Sequence, residues 1–232
     1  MRILLILLLT LQISSLKADE IFNLVKIPNL EIYKLNNSNG LKFLNAKNNI
    51  VIGFENNIRC NKSNKKNLDE KFSLISKNLS IYEKYFLNKI NLRFIVLCEN
   101  LYVSEINTGG IPDHKKRTLI LDINFNEKYF ERVIHHEIFH IIHNSFKVIF
   151  DEDVWSNYND KTFKYAECST CSNRLGLDLY NQTNGFLTEY SKSIASEDMA
   201  EVFSYLMKLN REKIKKMRLV FFVTSWYGLI YI

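Results

Sequence analysis

The chain has 232 residues, 47% of them apolar, and carries 31 Lys and Arg against 25 Asp and Glu, a net charge of +6. That supplies a core for one domain, or one domain with a small lobe, and excludes disorder as the main state. The positive charge is spread without a dense Lys/Arg block, so no nucleic-acid partner is expected. Seven Gly and two Pro exclude collagen-like and linker-like chains, while four of the five His are crowded between positions 135 and 143.

In chain order, Arg2, an apolar run from Ile3 to Ile13, then Ser14, Ser15 and Ala18 have the layout of a secretory signal peptide over 1–18. The run, about eleven residues, is well short of the roughly 20 needed to cross a bilayer. Removing it leaves 29 basic residues against 25 acidic, a charge of +4. A secreted or periplasmic location is therefore expected, without stable membrane insertion and as a monomer. In an oxidising compartment Cys60, Cys98, Cys168 and Cys171 read as disulfide partners, with three pairings open. The favoured one joins Cys60 to Cys98 and Cys168 to Cys171; a four-cysteine zinc site would need a second close pair, which Cys60 and Cys98 do not form.

Residues 19 to 66 suggest short strands, such as 49 to 54, between Asn-rich turns. From Leu68 to Ile90 apolar residues recur at spacings of three and four, which predicts one amphipathic helix. Phe94 to Cys98 reads as a buried strand, Gly109, Gly110 and Pro112 as a loop, and Thr118 to Ile123 as another strand. Asn124 is a candidate cap for a helix from Glu127 to Asn144, and 147 to 195 reads as irregular structure with short helices. A last helix is expected from Ser196, as N-cap, to Lys216. The apolar stretch Leu219 to Ile232 is too short to span a membrane and reads as a core helix or strand. The whole is an α+β pattern. A sheet-and-helix lobe with an edge strand (19–125) precedes a mainly helical lobe (126–232).

The chemistry is concentrated in His136-Glu137-Ile138-Phe139-His140, an H-E-x-x-H pattern on a helical segment. Residues i and i+4 share one helix face, so two imidazoles converge on one Zn²⁺, while Glu137 is rotated by about 100° and can reach a water there. The extended pattern that would supply a third His is not met, because its Gly and final His positions hold His143 and Phe146. Three ligands from consecutive turns of one helix would not surround a tetrahedral ion, so His135 and His143 read as flanking residues. A carboxylate from a second helix remains. Glu197 and Glu201 lie at i and i+4 near a helix N-terminus, with Glu197 as the expected metal ligand. Glu201 would accept the outer N–H of a ligating His.

His136-Glu137-x-x-His140 with Glu197-x-x-x-Glu201 resembles the gluzincin metallopeptidases. Gly185-Phe186-x-x-x-Tyr190, followed by Ser196 to Phe203, is similar to the anthrax lethal factor catalytic domain and to clostridial Pro-Pro endopeptidases. The resemblance covers about 109 to 207 and departs from those families in a longer insert after His140, which carries Cys168 and Cys171. It implies that Tyr190 points at the scissile carbonyl and that the Thr118 to Ile123 strand is the edge along which an extended peptide substrate lies. The expected activity is an exported zinc endopeptidase with one Zn²⁺, using a metal-activated water and Glu137 as general base. An exported zinc-binding interaction protein without catalysis is the alternative. His114 is left without a role.

Overall fold

The structure is a computed structural model describing residues 30–34, 37–181 and 185–209. The expected signal peptide and the 219–232 stretch lie outside the described residues.

The fold is α+β, and one long strand organises it. Strand β5 (Phe94–Val103) follows β1 (Leu30–Lys34), β2 (Lys42–Ala46), β3 (Ile50–Ile52) and β4 (Ile58–Asn61). Its first half is continuously apolar because it is flanked on both sides. It pairs in parallel with β2 on one side and with β8 (Thr118–Asp122) on the other. Its second half pairs antiparallel with β4 and with β6 (Ile106–Asn107), so the sheet curls about β5. Alternation along the strands divides the core. Ile95, Leu97, Leu119 and Leu121 face the helices, whereas Val96, Cys98 and Ile120 face a second cluster with Ala46, Ile50 and Cys60.

Two expectations about the sheet need correction. The Gly109, Gly110 and Pro112 segment is not a loop, since β7 (Gly110–Asp113) pairs antiparallel with β8. The Thr118 to Ile123 strand is consequently not the edge. All five residues of β8 are buried between β5 and β7, and β7 forms the free border. Pro112 is tolerated there because an edge strand has one side without ladder partners.

The single helix expected over 68–90 is two, α1 (Lys65–Leu79) and α2 (Lys84–Lys89). Its periodicity is sound, but Asn39 intervenes from across the fold. The Asn39 amide donates to the carbonyls of Leu79 at 2.8 Å and Tyr82 at 3.3 Å, meeting the bonding need of the helix end and turning Tyr82 inward. Helix α3 (Glu127–Ser145) is capped by Asn126, whose side chain accepts the Lys128 N–H at 3.0 Å; Asn124 is not the cap. A polar insert follows, whose helical pieces among the described residues are α4 (Glu152–Ser156) and a 3₁₀ turn (Tyr190–Lys192). Helix α5 (Ala195–Lys208) starts after Ile194, so Ser196 lies in its first turn rather than at the cap. Both favoured disulfides are present, Cys60–Cys98 joining β4 to β5 and Cys168–Cys171 closing a tight hairpin in the insert. Among the described residues no helix is long and apolar enough to cross a membrane.

Candidate metal centre

Helix α3 lies between sheet and α5. Phe130, Ile134, Ile138, Phe139, Ile141 and Ile142 are buried in the core, which fixes the helix rotation and leaves His136, Glu137 and His140 on a face shared by α5 and β7. Across from them α5 is held by Met199, Ala200, Val202, Phe203 and Leu206, so its acidic pair Glu197 and Glu201 turns toward α3.

His136 Nε2 is 2.8 Å from Glu197 Oε2, His140 Nε2 is 3.1 Å from the same oxygen, and the two imidazole nitrogens are 3.1 Å apart. These three side chains form the one cluster of His, Cys, Asp and Glu among the described residues that could hold a metal ion. His136 Nδ1 is 2.9 Å from Glu201 Oε1; with its N–H given to that carboxylate, Nε2 of a neutral ring would offer a lone pair to a metal. Without an ion, protons bridge these atoms: burial lowers the His136 pKa, but its contacts with Glu197 and Glu201 outweigh burial and raise it well above the ordinary value, and a bound metal would take the place of those protons. In a tetrahedral zinc site, with bonds of about 2.0–2.1 Å, adjacent ligands stand about 3.3 Å apart, so small outward shifts would admit the ion. Two imidazoles and one carboxylate, with a fourth position left over, fit a catalytic zinc site in donor type and number.

The electrostatics follow from burial beside these charges. Burial opposes ionisation of Glu197, but His140 and His136 outweigh it and hold the carboxyl well below the usual carboxylate range. Glu137 is pushed up to about 7, chiefly by burial, although His136 and His140 pull the other way. Tyr190 sits at the start of the 3₁₀ turn with its ring 5.9 Å from that of His136 at 28° between planes. Burial, then Glu197 and Glu137, keep its phenol protonated far above the ordinary range.

The residues expected to flank the centre do so. Tyr82 Oη donates to His135 Nδ1 at 2.8 Å and His135 Nε2 donates to Asn78 Oδ1 at 2.9 Å, so His135 is a satisfied core residue, its pKa lowered to about 4 by burial. His143 stacks on Phe139 and faces Glu152 at 3.6 Å. His114, in the turn between β7 and β8, is half-buried; burial lowers its pKa, Asp113 opposes this, and nearby His140 adds to the lowering.

With the centre described, comparison with known proteins is informative. Residues 101–222 match a protein-family model described as "Putative zinc-binding metallo-peptidase", a span of more than half the chain. The chain belongs to this metallopeptidase family. No curated protein and no solved structure matches it. The span matched to the metallopeptidase contains His136, Glu137, His140, Tyr190, Glu197 and Glu201, together with β7 and β8.

Three residues beside the candidate centre were given no role there by the sequence reading, which took Gly110 only as part of a loop. Gly110 on β7 lies so close to α3 that a Cβ there would stand 2.6 Å from Glu137 Cγ. Asp198 accepts from Trp155 Nε1 and Tyr165 Oη, both at 2.8 Å, and so ties the insert to α5 beside Glu197. Arg132 is buried one turn before His136. Only Arg132 left a signal in the sequence, a charged residue four positions before His136 and so on the same face of α3.

Proposed function

We propose that the protein is an exported zinc-dependent endopeptidase of the gluzincin type, with His136, His140 and Glu197 as ligands of one Zn²⁺. The observation that carries this reading is the convergence of two imidazole nitrogens and one carboxylate oxygen at 2.8–3.1 Å, beside Glu137 and Tyr190. Bound there, zinc supplies a Lewis acid that polarises the scissile carbonyl and acidifies water.

The chain's own groups do the rest. Glu137 accepts the proton of the attacking water and delivers it to the leaving amine. Tyr190, carried over from the resemblance to lethal factor and Pro-Pro endopeptidases, donates its phenolic O–H to the developing oxyanion. Loss of such a donor costs about 10²–10³ in kcat. Glu201 holds the His136 ring in the tautomer that presents Nε2. An extended substrate adds to the free border of β7, beside Glu137, rather than to β8. The 19–125 and 126–232 parts form one catalytic unit, acting as a monomer, because β7 and α3 each supply one wall.

Cleavage of a diverse peptide library by the mature protein, with and without chelator, tests this. Hydrolysis that stops with chelator and returns with stoichiometric zinc is expected. Stoichiometric zinc without hydrolysis of any peptide would instead support the non-catalytic binding protein, and chelator-insensitive hydrolysis would exclude the metal from the chemistry.

A further inference from the structure

Behind the candidate metal centre runs a closed circuit of contacts. Arg132, on α3 one turn before His136, has a side chain only 7% exposed. Its Nη2 stands 3.2 Å from Glu201 Oε2 and donates to the Leu177 carbonyl at 2.6 Å. The inner arm continues through Glu201 Oε1 to His136 Nδ1 at 2.9 Å. The outer arm continues through the backbone, because the carbonyl of Gly176, next to Leu177, accepts the Tyr190 N–H at 3.0 Å. The Gly176 N–H donates to Glu189 Oε2 at 3.1 Å, which ties the same strip again to the residue before Tyr190. The Tyr190 ring lies against His136, and the circuit closes.

We infer that Arg132 is a positioning residue joining the two halves of the site: through Glu201 it orients His136, and through Leu177 it seats the turn that carries Tyr190. The inference rests on the reading of His136, His140 and Glu197 as metal ligands. Glu201 is 3% exposed, and among the described residues the charged groups paired with it are this guanidinium and the His136 imidazole. Removing the guanidinium would leave a buried carboxylate uncompensated, free to pull away from His136 or to take up a proton. On the planar guanidinium fork one nitrogen, Nη2, meets both partners, donating to the Leu177 carbonyl while facing Glu201 Oε2 at 3.2 Å as an ion pair without a hydrogen bond. A lysine ammonium at this position can balance the charge of Glu201 but does not reproduce that fork. The two arms are therefore separable by substitution.

Two measurements on the full chain read the two arms, zinc affinity by competition with a chromophoric chelator and hydrogen exchange of the Tyr190 amide in zinc-loaded protein. Arg132→Met is expected to weaken zinc binding about 10–100-fold, the range for partners that orient a ligand, and to speed Tyr190 exchange. Arg132→Lys should restore the greater part of the zinc affinity while Tyr190 exchange stays fast. Arg132→Met added to Glu201→Gln should weaken zinc little beyond Glu201→Gln alone, since one arm acts through the other. Wild-type zinc affinity in Arg132→Met, or additive losses in the double variant, would overturn the inference while leaving the metal site intact. Failure of the wild-type chain to bind zinc would overturn the ligand reading and this inference with it. Should Arg132→Met not fold, Arg132→Lys alone decides, because Tyr190 exchange at the wild-type rate would refute the outer arm.

Discussion

Gly110 illustrates how little room surrounds the proposed general base. A Cβ at this position would meet Glu137 Cγ at 2.6 Å and the Ile120 carbonyl oxygen at 3.1 Å, so it is held on one side by the reactive carboxylate and on the other by backbone. The backbone of β8 cannot yield, and the side chain of Glu137 can. Gly110→Ala is therefore expected to displace Glu137, lowering kcat/KM at least about tenfold at a stability cost of about 1–3 kcal/mol. Zinc stoichiometry should be unchanged, since none of the three proposed ligands is touched. Metal analysis beside steady-state kinetics checks this, and undiminished kcat/KM would contradict the close packing. At this scale the sequence was informative where a spacing of four on one helix carries the chemistry, as for His136 with His140 and Glu197 with Glu201. It was silent where the partner is remote in the chain. Nothing near His135 announces Tyr82 and Asn78, which are 53 and 57 residues away and make it a core histidine.

Elements place these residues, and their boundaries are set by tertiary contacts. The periodic run from Leu68 onward was legible as helix, but its interruption after Leu79 depends on the Asn39 amide, which no local pattern encodes. The edge position of β7 was hidden by its Gly and Pro content, which reads locally as a turn and makes sense only as the unpaired border of a sheet. The insert between α3 and α5 has little regular structure to hold it, and Asp198 is one of the side chains that tie it down. Asp198→Ala would remove the shared acceptor of the Trp155 N–H and the Tyr165 hydroxyl, a loss of about 1–3 kcal/mol. Limited proteolysis should then cut first within 152–166, and an unchanged cleavage pattern would show that the insert is held by other contacts.

For the molecule as a whole, the α+β pattern was legible because the apolar strand runs all end by Asp122 and the two helices with the candidate ligands follow them, although α1 and α2 lie among the strands. The curl of the sheet about β5 was not, since one strand's two halves serve different partners. The candidate metal site has its proposed ligands on α3 and α5, with β7 alongside. Zinc bound there ties α3 to α5 in the native state only, so it stabilises by mass action, about 2.7 kcal/mol at one hundred times Kd. For a chain of this size chelation should lower Tm by about 5–10 °C. A Tm that ignores both chelator and zinc would argue against a site bridging the two helices.

The central claim, that this arrangement is a zinc-dependent hydrolytic site with Glu137 as its base, is tested most directly by Glu137→Gln. The substitution is nearly isosteric, retains all three proposed ligands and removes only the proton acceptor. Zinc bound one per chain, with peptide hydrolysis reduced to background, is the predicted result. Hydrolysis retained at the wild-type rate would contradict it.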